Sequence, residues 1–257
     1  MLAVATLWQR EIVRFLRQRS RVVGAFVQPI VFWALLGGGL SASFHPPGAP
    51  SGAGYLEYFY PGTIALVLLF TAIFATISVV EDRRAGFLQG VLVAPVSRAS
   101  IVLGQSLGGT SLAVLQGGLF LVLAPLGGMS LSVARVVATT ATMAVVAFGL
   151  TNLGLVIAWR MESTQGFHAI MNLVLLPIWF LSGAFFPATG LPTVLQWVMA
   201  VDPLTYGVAA LRGCLYLGSA SMPADLPPLM VSELVTALFA VVSFVAATAV
   251  ARRSSTL

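Results

Sequence analysis

Ser182, in "LSGAF", and His168 are the residue types of a nucleophile and its base. Both fall in one apolar run, fourteen residues apart. On a straight helix that is about 21 Å, and a dyad needs its atoms within about 3 Å. Nucleotide chemistry fares no better. The chain carries no lysine, and a phosphate-binding loop of the Walker type needs one to reach the β and γ phosphates. Cys214 is the one cysteine, so no intramolecular disulfide can form, and the histidines, His45 and His168, lie in different segments. A metal site needs three or four converging ligands. No catalytic residue, metal or cofactor site is therefore assigned to this chain. The chemistry that remains is electrostatic. "VVEDRRAGFLQGVLVAPVSR", residues 79–98, sets Glu81, Asp82, Arg83 and Arg84 down between two long apolar runs.

The elements that must position this charge are hydrophobic. Of 257 residues, 58% are hydrophobic and 8% charged, with a mean hydropathy of +0.98. A soluble domain carries about 25% charged residues, so too few remain to cover a water-facing surface. The expectation is an all-α membrane protein, a single transmembrane domain over 1–257, with about six spans of roughly 20 apolar residues each. Candidate spans run from about Val22 to Leu40, Tyr60 to Val80, Ala99 to Leu123, Val133 to Trp159, from Gly166 onward, and Leu229 to Ala251. The loop "SFHPPGAPSGAGYLEYF" is too rich in Pro and Gly to be helical throughout. No cleavable signal peptide is expected, because the first apolar run starts only after the basic segment to Arg21.

Residues 4–21 read as an interfacial amphipathic helix. Arg10, Arg14, Arg17 and Arg21 form one stripe, and Val4, Trp8, Ile12 and Phe15 the opposite face. With the N-terminus inside, eleven of the thirteen arginines face the cytoplasm and only Arg135 and Arg212 do not. The positive-inside rule then gives six spans with both termini cytoplasmic. That basic balance points to anionic lipid rather than nucleic acid.

This topology makes residues 81–98 the main cytoplasmic connection. Glu81 and Asp82 stand where acids would complement a helix N-terminus. Phe87, Leu88, Val91 and Leu92 then share one greasy face, and Pro95 stops the helix. Lipid or another protein could cover that face. Residues 183–228 are apolar yet broken by Pro187, Pro192 and Pro203. Short helices that dip into the outer leaflet and return satisfy both facts, if their irregular backbone is buried in protein. "GQSLG", Gly104 to Gly108, has the spacing that brings two helices together.

Two long segments carry a resemblance. "PGTIALVLLFTAIFATISVVEDRRAGFLQGVLVAPVSRASIVLGQ" and "LPIWFLSGAFFPATGLPTVLQWVMAVDPLTYGVAALRG" are similar, in order and topology, to the hallmarks of type-2 permeases of ATP-binding-cassette (ABC) transporters. The similarity covers essentially the whole chain. It implies that residues 81–98, with Glu81, Asp82, Arg83, Arg84, Gly86, Phe87, Leu88, Val91, Leu92, Pro95 and Arg98, form the coupling helix that docks on a separate ATPase subunit. It implies an interfacial helix carrying Trp8, Arg10, Ile12, Arg14, Phe15 and Arg17. It also implies re-entrant helices before the last span, carrying Ser182, Gly183, Phe186, Pro187, Pro192, Asp202, Pro203, Tyr206 and Arg212. The chain departs from the family at Arg84 (commonly acidic), Phe87 (small and polar), Gln105 (Lys) and Asp202 (Asn), so no ion-pair pattern is carried onto Arg84.

The function so implied is that of the permease subunit of an ABC exporter in the cytoplasmic membrane, moving amphiphilic, drug-like or lipid- or glycan-linked cargo. ATP and Mg would sit on the partner ATPase, and two permease copies would work with two ATPases. The alternative is an ion-coupled secondary carrier of hydrophobic compounds. Such a carrier usually places ionisable residues at mid-membrane, whereas here Glu57, Asp202, Asp225 and Glu233 fall near the outer side. A mere membrane anchor would leave the charged stretch unexplained.

Overall fold

A computed structural model describes residues 2–17, 19–40, 55–93, 95–188, 191–218 and 227–253. His45 and the Pro/Gly-rich loop, Asp225, the C-terminal tail and the side chains of Arg19, Arg21 and Leu92 lie outside the described residues. The described part is all-α. In chain order it comprises α1 (Leu2–Arg17), α2 (Arg19–Phe32), α3 (Gly38–Leu40), α4 (Tyr55–Ala75), α5 (Ile77–Arg84), α6 (Phe87–Val93), α7 (Arg98–Leu121), α8 (Val133–Ala158), α9 (Thr164–Trp179), α10 (Thr193–Val201), α11 (Pro203–Leu215) and α12 (Leu229–Arg253). Two wide π-type turns, Trp33–Gly37 and Phe180–Ala184, extend α2 and α9.

The core is built around α4. Phe59, Tyr60, Ile64, Leu68, Leu69 and Ile73 are all fully buried against α7, α8, α9 and α11. Polar pairs sit inside this apolar packing. Thr71 donates to Gln116, and Ser106 donates to Asn152 at 2.7 Å. They give buried partners to Ser106 and Gln116 of α7.

By length and apolarity, four helices among the described residues could cross a membrane: Tyr55–Arg84, Val133–Ala158, Thr164–Ala184 and Leu229–Arg253. A fifth would be α10 with α11, bent by 79°. The remaining two expected spans are present as helix but are less apolar or shorter. α7 runs 24 residues, and only Pro29–Leu40 of the first span is continuously apolar.

The first helix, expected at the membrane surface, packs one face on its own chain and leaves Leu2, Trp8 and Leu16 exposed. α1 lies along α7, burying Leu7, Glu11 and Phe15 at four-residue spacing. The Trp8 indole donates to Ser111 Oγ at 3.0 Å. Gly104 and Gly108 open the notch that receives it. A Cβ at Gly104 would lie 2.9 Å from Leu7 Cβ, and one at Gly108 2.7 Å from Glu11 Cβ. The small-residue pair therefore seats α1 of its own chain.

Glu11 enters this contact as a buried acid, with an Arg10 nitrogen 3.4 Å from its carboxylate. Burial pushes its carboxyl above the ordinary glutamate value, and a hydrogen bond from Ser78 and the charge of Arg14 only partly oppose it. A raised folded-state value means the folded protein holds the proton more tightly than the unfolded chain. Stability is then full below the unfolded value near 4.5 and falls as pH rises through the folded one. Glu11→Gln is expected to remove that decline. Thermal stability measured from pH 4 to 8 should slope downward in the parent protein and be flatter in the variant.

Candidate functional site

The charged stretch forms a corner at one end of the Tyr55–Arg84 rod. Gly86, with φ +73°, turns the chain between α5 and α6, a backbone conformation that glycine adopts without steric cost. Glu81 and Asp82 do not cap a helix N-terminus as expected. They stand in the last turns of α5, where the dipole favours the neighbouring Arg83 and Arg84, and two arginines of α1 neutralise them. Arg10 grips Asp82 with both nitrogens at 2.6 Å, and Arg14 reaches Asp82 at 2.9 Å and also Glu81. The bond to Asp82, partly offset by burial, raises Arg10 above its ordinary value. Its guanidinium also lies 4.0 Å over the Phe87 ring.

The other flank is tied to the α8–α9 connection. Arg83 donates to Trp159 O at 2.6 Å and Met161 O at 3.4 Å, and Arg84 Nε donates to Glu162 O at 2.9 Å. Trp159 is the C-cap of α8, where helix carbonyls lack a partner within the helix, and Met161 and Glu162 follow it in the connection. The corner is clamped from both sides.

The greasy face of α6 divides. Leu88 is 3% exposed and belongs to the core, and Val91 packs partly against it, whereas Phe87 is 43% exposed. Leu88 was expected to face a partner or lipid, but its own chain covers it. Pro95 is exposed and Arg98 half-buried, Arg98 opening α7 behind a cap in which Ser97 Oγ accepts from Ser100 N at 3.1 Å. Ile12 is half-buried and Arg17 exposed on α1.

At the opposite end of the rod the broken segment packs into an aromatic nest. Pro177 and a left-handed Gly183 (φ +74°) break the α9 helix as it ends. Gly183 O accepts from the Tyr58 hydroxyl and from Arg212, each at 3.3 Å. Arg212 is 2% exposed, lies 4.3 Å over the Tyr58 ring and also donates to Tyr58 O. The Trp179 indole donates to Gly62 O at 2.8 Å, Tyr55 to Phe185 O at 3.0 Å, and Ser182 to Trp179 O at 2.7 Å. Phe186 meets Phe185 edge-on, followed by a half-buried Pro187. Pro192 precedes α10, and at the 79° bend Asp202 caps α11, accepting from Leu204 N at 2.9 Å with Pro203 in the first turn. Tyr206 donates to Ala200 O at 3.0 Å, holding the end of α10. An apolar cleft of about 560 Å³ lies between the end of α9 and α10, lined by Pro177, Ile178, Leu181, Trp197, Val198 and Val201.

The nest is tight at Gly62. A Cβ there would lie 2.6 Å from Ala184 O and 2.8 Å from Ala184 Cα. Gly62→Ala is therefore expected to destabilise by about 1–3 kcal/mol through overpacking, visible as a lower thermal-unfolding midpoint. Gly118→Ala, where a Cβ meets nothing within 4 Å, serves as the neutral control.

His168 lies tilted against Phe74, ring centroids 5.1 Å apart, while Ser182 donates to Trp179 O, so the two make no dyad. Among the described residues no three His, Cys, Asp or Glu side chains gather as metal ligands. Glu11, Gly62, Tyr58 and Trp179 were not singled out by the sequence. Glu11 carried one usable signal, a lone acid spaced four residues from Leu7 and from Phe15.

The fold and its two end sites define a polytopic helical membrane protein whose polar chemistry sits at the ends of one long central helix. Residues 3–216 match the ABC-2 type transporter family, and the chain belongs to it. Among curated relatives, it is 25% identical to nodulation protein J of Rhizobium leguminosarum bv. viciae, over 96% of this chain and 93% of that protein. It is 28% identical to nodulation protein J of Rhizobium meliloti (strain 1021), over 96% and 92%. It is 27% identical to the putative transport permease ycf38 of Porphyra purpurea, over 81% and 72%.

Proposed function

We propose that this chain is the transmembrane permease subunit of an ABC exporter, moving an amphiphilic, drug-like or lipid- or glycan-linked substrate out across the cytoplasmic membrane. ATP and Mg are bound and used by a separate ATPase subunit. The observation that carries this reading is the double clamp on the α5–α6 corner. A surface corner pinned by ion pairs to α1 and by Arg83 and Arg84 to the α8–α9 connection is suited to take a mechanical load from a docked partner. Phe87 is its exposed contact point. In this reading six spans cross the bilayer: α2–α3, α4–α5, α7, α8, α9 and α12. The α10–α11 pair is re-entrant on the outer side, both termini are cytoplasmic, and two permeases assemble with two ATPases. The apolar cleft beside α10 suits cargo that arrives from the bilayer.

Reporter fusions at residue 257 and within 46–54 should report opposite sides of the membrane; a same-side result would sink the topology. The function itself is tested by reconstituting the chain with its ATPase in proteoliposomes. Transport should require ATP hydrolysis. Transport driven by an ion gradient with an inactive ATPase would replace this reading with that of a secondary carrier.

A further inference from the structure

We propose that Glu233, with Thr142 and Cys214, forms a binding site for an ammonium group carried on an apolar body. Glu233 stands on α12, on a face that otherwise shows only apolar side chains. Met230, Leu234 and Leu238 are 76%, 62% and 63% exposed. Met230, three residues before Glu233, and the exposed Ala237, four after it, share its face. Glu233 itself is half-buried, and among the described residues it has no ion pair.

Its two oxygens have different surroundings. Thr142 donates to Oε1, and the Cys214 thiol lies 3.7 Å from the same oxygen and 3.3 Å from the Thr142 hydroxyl. Oε2 accepts nothing from the described residues and is not sealed in the interior. One oxygen thus fixes the side chain, and the other is left as an open acceptor beside an apolar surface.

An ionisable group in a membrane helix is expensive unless something compensates it. Near the outer end of α12 water can reach the open oxygen, and a charged amphiphile would displace it. A primary ammonium offers both the charge and N–H donors, and a charge-assisted hydrogen bond is about twice as strong as a neutral one. Its hydrocarbon body would lie along the exposed Met230 and Ala237. A quaternary ammonium brings the charge without the donor, and an alcohol brings the donor without the charge. Two sources carry the required group: the headgroup of an aminophospholipid, or a free amphiphilic amine. The site rests on the membrane placement of α12 given above, but not on ATP-driven export.

Equilibrium binding tests it without transport. The purified full chain in phosphatidylcholine nanodiscs is titrated with dodecylammonium, dodecyltrimethylammonium and dodecanol. Dodecylammonium should bind at least about tenfold more tightly than the other two. Glu233→Gln should bring it to the level of dodecanol, and Thr142→Val, which frees the anchored oxygen, should weaken it severalfold. Phosphatidylethanolamine added to the nanodisc should compete if the source is a headgroup; without competition, the source is a free amine. Equal binding of all three probes to the parent protein would overturn the site, with no variant required. So would undiminished preference for dodecylammonium in Glu233→Gln. Neither failure bears on whether ATP drives export.

Discussion

Leu88→Asp is expected to cost the fold about 3–5 kcal/mol, the penalty of an unpaired charge in a buried place. Leu88 is 3% exposed and sits in the core. Folded protein recovered after detergent extraction should fall sharply. Phe87→Asp should behave in the opposite way. Phe87 is 43% exposed, and its internal contact is the Arg10 guanidinium over the ring. An aspartate there can pair with Arg10, so folding should be spared. If the corner docks on an ATPase as proposed, that carboxylate is buried at the contact instead. The same cost then weakens association by a few hundredfold or more. Co-purification of the ATPase with each variant, next to its yield of folded protein, separates the two outcomes. Phe87→Asp with undiminished ATPase binding and stimulation would refute the docking assignment.

The second large effect is expected at Asp82. Its side chain is 5% exposed and serves Arg10 and Arg14, which are 31% and 25% exposed. Asp82→Asn leaves two guanidinium groups facing a neutral amide. The loss should be about 2–4 kcal/mol, below that of a fully buried pair because water still reaches both arginines. Arg10→Gln should cost less, since Arg14 continues to neutralise the carboxylate. Adding it to Asp82→Asn should cost little more, because the contact is already gone. Thermal unfolding of the two single variants and the double variant closes the cycle. Strictly additive losses would show that the pair contributes nothing to holding α1 on α5.

The helical framework was legible because apolar length and breaker residues are local properties. Val133 to Trp159 was expected as a helix and Val133–Ala158 is one; Leu229 to Ala251 was expected and Leu229–Arg253 is found. The broken character of 183–228 was legible from its prolines, and the 79° bend falls at Asp202–Pro203. Coverage was not legible. Periodicity shows that a face is greasy, not what will lie on it. Leu88 was read as facing outward and is covered by its own chain, while α1 buries Leu7, Glu11 and Phe15 there and leaves Trp8 and Leu16 exposed. The acids of α5 were misread for a related reason. Adjacency along the chain suggested a helix N-terminus, whereas their partners Arg10 and Arg14 stand some seventy residues earlier. Glu233 was read only as one of four acids near the outer side. Only the convergence of Thr142 and Cys214 from other helices marks it out.

The Tyr55–Arg84 rod has a mechanical consequence. Its 30 residues span about 45 Å at 1.5 Å per residue, with a single non-helical turn at Thr76. At one end it holds the clamped corner, and at the other Tyr58 is bonded to Gly183 of the wide turn and Gly62 to Trp179 at the end of α9. A helix is stiff along its axis, and fixing both ends removes the slack by which a thrust could dissipate. In the proposed reading, a push at Gly86 would meet a rod bonded at its far end to Gly183 rather than a free end. The rod has two weak points, Pro61 inside α4 and the turn at Thr76, and at the second the Thr76 hydroxyl bonds back to Ile73 O at 2.7 Å, bracing the joint in the manner of a splint.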